Sequence, residues 1–110
     1  MQNIREVKVE QALRKAAEKA GGQAYKFVSP GAVGVPDRIV VLPGGITGFV
    51  EVKAPGEKPR PAQRAVLRKL YRMGARVAVV DNEVSARNLI DMMRRRHDEI
   101  FSARLSEKSH

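Results

Sequence analysis

Two runs rich in β-branched and aromatic residues, 37–42 and 46–53, stand three residues apart, joined by Pro43-Gly44-Gly45. That spacing restricts them to an antiparallel hairpin, because a parallel pair needs a crossover of about a dozen residues or more. The turn also sets the register. With Leu42 facing Ile46, each outward step pairs Val41 with Thr47, Val40 with Gly48 and finally Asp37 with Glu51. Directly opposed residues share a face with Cβ atoms about 4.5 to 5.5 Å apart, and Lys53, two residues past Glu51, projects to the same side. Two acids and a lysine therefore meet in otherwise apolar strands. Carboxylates that close repel unless one is protonated or a cation lies between them, and a hard divalent cation with oxygen ligands, Mg²⁺ first, is the usual occupant. The competing role, salt bridges from Asp37 and Glu51 to Lys53 or Arg38 at a sheet edge, suits a lone acid better than two opposed ones.

Around the hairpin, Leu13, Ala16, Ala17 and Ala20 recur at helical spacing, which predicts a helix over 7–20 stopped by Gly21-Gly22. Glu10 lies in its inward stripe, and Glu6 is nearly as well placed, so periodicity does not choose between them. A short strand over 24–28 and an irregular Gly- and Pro-rich loop over 29–36 follow. After the hairpin and a loop over 54–59, Pro61 opens a helix ending at Gly74, with Val66, Leu67, Leu70 and Met73 as its apolar face. Arg76 to Val80 is expected as a buried strand. Asn82, with Asp81 as competitor, caps a last helix to about Arg96. The order αβββαβ(α) is that of an α/β domain with a central mixed sheet flanked by helices. The core spans about 7–96, and the polar tail over 97–110 is expected to fray. His97 and His110 fall in that tail and are expected in solvent, while Arg94-Arg95-Arg96 complements the dipole of a helix end.

The chain is the size of a single domain at 110 residues. It has no cysteine, which excludes disulfides, thiolate metal sites and cysteine nucleophiles. MQNIREVKVE lacks the apolar core of a signal peptide, and no run reaches membrane-spanning length, so a soluble intracellular, cytoplasmic protein is expected. A net charge of +9 points to a polyanionic partner such as nucleic acid.

Pro36-Asp37 followed by Glu51-Val52-Lys53 matches the PD-(D/E)xK signature of metal-dependent nucleases. Lys26-Phe27, Ser29-Pro30-Gly31, Gly34-Val35-Pro36-Asp37-Arg38, Gly44-Gly45, Phe49 through Gly56, Gln63 and Gly74 surround it. Together they resemble the virus-type replication-repair nuclease domain, VRR-NUC, from about Glu10 to Val80. The resemblance implies a restriction-endonuclease-like core and a metal, Mg²⁺ or Mn²⁺, held by Glu10, Asp37, Glu51 and the Val52 carbonyl, with Lys53 catalytic. Glu10 is preferred to Glu6 because the family's spacing of glutamate, two apolar residues and glycine fits Glu10, Leu13, Ala17 and Gly21. Asp37, Glu51 and Lys53 would then hydrolyse phosphodiesters in DNA. Standalone members resemble dimeric enzymes of phage type acting on branched DNA such as Holliday junctions, which implies a homodimer, with Tyr71, Leu89 and Met92 or Met93 as candidate surface. Lys26, Lys58, Arg60, Gln63, Arg64 and Arg68 are candidate nucleic-acid contacts, Gln63 having a capping role as its competitor. The rival reading is a catalytically inactive nucleic-acid-binding protein on the same fold.

Overall fold

A computed structural model describes residues 3–108, with side chains through Arg95. Seven elements follow in the order α1 (Ile4–Lys19), β1 (Gln23–Lys26), β2 (Arg38–Leu42), β3 (Ile46–Val52), α2 (Pro61–Arg72), β4 (Arg76–Val80) and α3 (Glu83–Lys108). The helix α1 begins a turn earlier than its apolar spacing suggests, because the Asn3 side chain accepts the Arg5 N–H at 2.8 Å and caps it. Val9, Leu13 and Ala17 form its buried stripe. At its end Gly22 runs so close to β2 that a Cβ would lie 2.2 Å from the Val41 carbonyl oxygen. Only glycine permits that approach.

The four strands lie side by side in chain order. β1–β2 and β2–β3 are antiparallel, and β3–β4 is parallel, reached through the crossover helix α2. The hairpin has the register expected from its turn, with Leu42 opposite Ile46 and Arg38 opposite Val50. One face of the sheet carries Val40, Leu42, Ile46, Val50, Val52 and Val80, packed with Val9 and Leu13 of α1 and Ala86, Ile90 and Met93 of α3. Burying these side chains is the main stabilising term of the fold. α2 covers part of the opposite face, where Leu67, Val77 and Val79 line one cavity and the rings of Phe27 and Phe49 lie 5.8 Å apart.

Three expectations change. β4 is an edge strand, not a buried one, with Val79 43% exposed, since among the described residues no fifth strand follows it. Met73 is 68% exposed because it falls at the C-cap beyond the last turn of α2, and Gln63 takes a buried place on that helix instead. α3 runs on to Lys108 rather than stopping near Arg96: neither glycine nor proline interrupts 83–108, and its charged residues are good helix formers. Asn82 caps it as expected, its Oδ1 accepting the Ser85 N–H at 2.8 Å. The side chains of His97 and His110 lie outside the described residues.

Candidate active site

Asp37 sits one residue ahead of β2 and is held from two directions. Its carbonyl accepts the Phe27 N–H at 2.8 Å, and its Oδ2 accepts the Val52 N–H at 2.9 Å. Extending the β2–β3 ladder by one step puts it across from Glu51. Its side of the pair faces solvent, while Glu51 is 0% exposed. Neither Oε1 nor Oε2 of Glu51 finds a hydrogen-bond donor among the described residues.

Burial pushes the Glu51 carboxyl up to about 8, and the Asp37 side chain and its charge beside it add to the rise. Lys53 opposes this shift and Glu6 adds to it. In the absence of a cation the pair therefore carries a proton at neutral pH. Lys53 is nearly buried, and its N–H donates to the Val80 carbonyl at 2.9 Å, carrying the β3–β4 pairing one residue past Val52. Alternation along β3 sets its side chain on the side of Glu51.

The two acids of α1 stand differently. Glu6 is half-buried, and its carboxyl is raised first by burial and then by Asp37, with Lys53 opposing and with Glu57 and Glu10 adding smaller pushes. Glu10 instead accepts a hydrogen bond from the Arg38 guanidinium, which also donates to the Ala24 carbonyl at 3.1 Å. One turn of helix separates the two acids, and the Arg38 contact ties α1 to the start of β2. Glu57, in the loop after Lys53, had no signal in the sequence that set it apart from other surface acids.

Among the described residues no three His, Asp or Glu side chains form a ready metal cage. The donor chemistry nonetheless fits a hard cation. Two buried carboxylate oxygens without a donor are costly, and a divalent ion on Glu51 and Asp37, with the Val52 carbonyl at the end of β3, would offset that cost. The neighbourhood lies at an open strand end, with Asp37 exposed, which suits a polymer rather than an enclosed small molecule.

Gln63 is 8% exposed and its Oε1 accepts the Arg60 N–H at 2.9 Å, so it secures the first turn of α2. Gly34 packs on that same turn. Its φ is +86°, and a Cβ there would lie 2.8 Å from the Ala62 carbonyl oxygen. The loop over 29–36 and the start of α2 thus bracket the end of the sheet. Lys26, Lys58, Arg60 and Arg64 are exposed. Arg60, Arg64, Arg68 and Arg72 recur at every fourth residue along α2, whose sequence contains no acid. Among the described residues none of these arginines has an ion-pair partner.

Comparisons with known proteins give the family. The model of the VRR-NUC domain family matches residues 2–83. A protein of Acyrthosiphon pisum secondary endosymbiont phage 1, named as a candidate nuclease, p44, is 52% identical over 83 residues, which cover 76% of this chain and 89% of that one. A solved VRR-NUC domain superposes with a TM-score of 0.76 at 33% identity, covering 81% of this chain and 97% of the other. Sequence and fold thus converge, and the chain belongs to the VRR-NUC domain family of nucleases.

Proposed function

We propose that the protein is a divalent-metal-dependent endodeoxyribonuclease that cuts branched DNA such as four-way junctions. The observation that carries this reading is the buried, donor-less Glu51 carboxyl set against Asp37 beside Lys53. Asp37, Glu51 and the Val52 carbonyl are the residues that would hold Mg²⁺ or Mn²⁺. When bound, such an ion polarises a phosphodiester and lowers the pKa of a water molecule. Glu51 must give up its proton to serve as a ligand, and Asp37 is held ready for the same task by the Val52 N–H. Lys53 brings its ammonium to the scissile phosphate, where negative charge builds up in the transition state.

For the acid supplied by α1 the favoured residue is Glu6. Its titration responds to Asp37 and Lys53, and it raises Glu51 in turn. Glu10, expected from the family spacing, is assigned to positioning through Arg38. DNA is drawn by the net charge of +9 and by the arginines of α2, with Lys26, Lys58, Arg60, Gln63 and Arg64 nearest in sequence to the site elements.

Two copies acting together match the twofold symmetry of a four-way junction. The surface favoured for the dimer is the β4 edge, where Val79, Tyr71 and Met92 are 43%, 70% and 43% exposed and Leu89 lies beside them. Met93 is 5% exposed and belongs to the core. Among the described residues no helix is long and apolar enough to cross a membrane. With a phage relative, an intracellular setting is the natural one for DNA cleavage. The test is incubation with linear duplex, single strands, flaps and four-way junctions, with and without Mg²⁺ or Mn²⁺. Metal-dependent cleavage with preference for junctions is expected. Binding without cleavage under every condition would favour an inactive nucleic-acid-binding protein.

A further inference from the structure

A large cavity lies away from Asp37, Glu51 and Lys53. It is a trough of about 680 Å³ between α1 and α3, lined on α1 by Lys8, Gln11, Lys15 and Lys19 and on α3 by Arg87 and Arg94. Ala12, Ala16 and Ala20 make its floor with Ile90, and their small side chains leave a channel where larger ones would build a ridge.

Helix geometry separates this trough from the active site. At 3.6 residues per turn, Lys8, Lys15 and Lys19 fall within about 40° of one another around α1 and roughly opposite Glu6 and Glu10. The catalytic flank of α1 is therefore acidic and the other flank basic. Glu83 and Asp91 are the acids that line the trough. Glu83 approaches Arg87 at 4.0 Å, both side chains being about half exposed, a contact of little strength. Among the described residues Lys8, Lys15, Lys19 and Arg94 have no ion-pair partner.

Five cations spaced along a channel, rather than gathered at a point, complement a linear polyanion. From Lys8 to Lys19 the helix rises about 16 Å. That is the axial length of about five nucleotides of one DNA strand. We infer that the trough between α1 and α3 is a second nucleic-acid track, which holds the phosphodiester backbone of a DNA segment other than the one at the active site. The inference rests on DNA being the substrate, and it gives the enzyme a reason to prefer DNA with two segments at an angle.

The experiment measures binding by fluorescence anisotropy, without metal and in a Glu51→Gln background, so that cleavage plays no part. A labelled four-way junction is titrated over a range of salt concentrations. Each phosphate contact adds about 0.9 to the slope of log affinity against log salt. The triple variant Lys8→Gln, Lys15→Gln, Lys19→Gln should lower that slope by about 2 to 3 and weaken binding about tenfold or more near 0.1 M salt, with an unaltered melting temperature. Asp91→Asn should act in the opposite direction and tighten binding. An unchanged slope in the triple variant, with DNA still bound, overturns the track and leaves the nuclease reading intact. Tight capture of an oligo-glutamate peptide in place of DNA, lost in the same variant, would also overturn it and identify an acidic peptide as the occupant. A normal slope change in a protein that cuts no DNA would instead uphold the track and remove the proposed activity.

Discussion

At Glu51 both carboxylate oxygens are buried without a donor among the described residues, so folding and chemistry make opposite demands on its proton. The unfolded chain titrates this carboxyl near 4.5, and the folded chain near 8. Between those values the folded state holds a proton that the unfolded state has released. The stability contributed by this group is therefore complete below about 4.5 and is lost as pH rises through about 8. In the presence of a chelator, melting temperature should fall between about pH 5 and 8, and Glu51→Gln should flatten that fall. At pH 8.5 the variant should melt higher than the parent by about 5 °C, of order 1 kcal/mol, while losing all cleavage. Calorimetry checks it, and a variant that melts lower at pH 8.5 would mean that Glu51 is satisfied by something other than a proton or a cation. Lys53→Ala should leave the metal-induced rise in melting temperature in place and reduce kcat by about a hundredfold or more, since its charge serves the reacting phosphate. Asp37 and Glu51 were legible from the hairpin because turn length and pleat are local rules. The rise of the Glu51 carboxyl to about 8 was not, because it depends on how completely the surrounding chain excludes water.

Among the elements, α1 carries two acids one turn apart, Glu6 and Glu10, for which different work is proposed. Glu6→Gln should weaken metal affinity by about tenfold, read by isothermal titration, without much change in stability. Glu10→Gln should leave metal affinity largely intact and cost about 1 to 2 kcal/mol in chemical denaturation, because Arg38, 11% exposed, loses its carboxylate partner. The reverse pattern would return Glu10 to the metal. The loop over 29–36 and α2 make a second test. Gly34→Ala would force a side chain into the left-handed region, at φ +86°, and against the Ala62 carbonyl. A loss of about 1 to 3 kcal/mol in denaturant unfolding is expected. Wild-type stability there would show that the loop moves freely off α2. Helix starts were readable in the sequence at Asn82 and Pro61, though not at Asn3. The continuation of α3 past Arg96 was not, since a polar, charged segment satisfies both helix and coil by composition.

At the level of the whole molecule, the uncovered β4 edge beside Tyr71, Leu89 and Met92 leaves apolar surface and unpaired backbone groups in one place. Sedimentation at micromolar concentration should give a dimer, and Val79→Lys should give a monomer with an unchanged melting temperature. A monomeric parent, free and on a four-way junction, would remove the dimer and shift the favoured substrate to flaps or nicked duplex. By itself the sequence determined the hairpin register, the starts of α2 and α3, the order of the elements, and the meeting of Asp37, Glu51 and Lys53, since each follows from spacing along one or two adjacent segments. Only the tertiary structure decided that β4 is an edge, that burial and Asp37 raise the Glu6 carboxyl, and that α1 and α3 enclose a basic trough. Those outcomes depend on which faces of distant segments are buried together, a choice made by packing and the exclusion of water across the whole core rather than by any local pattern.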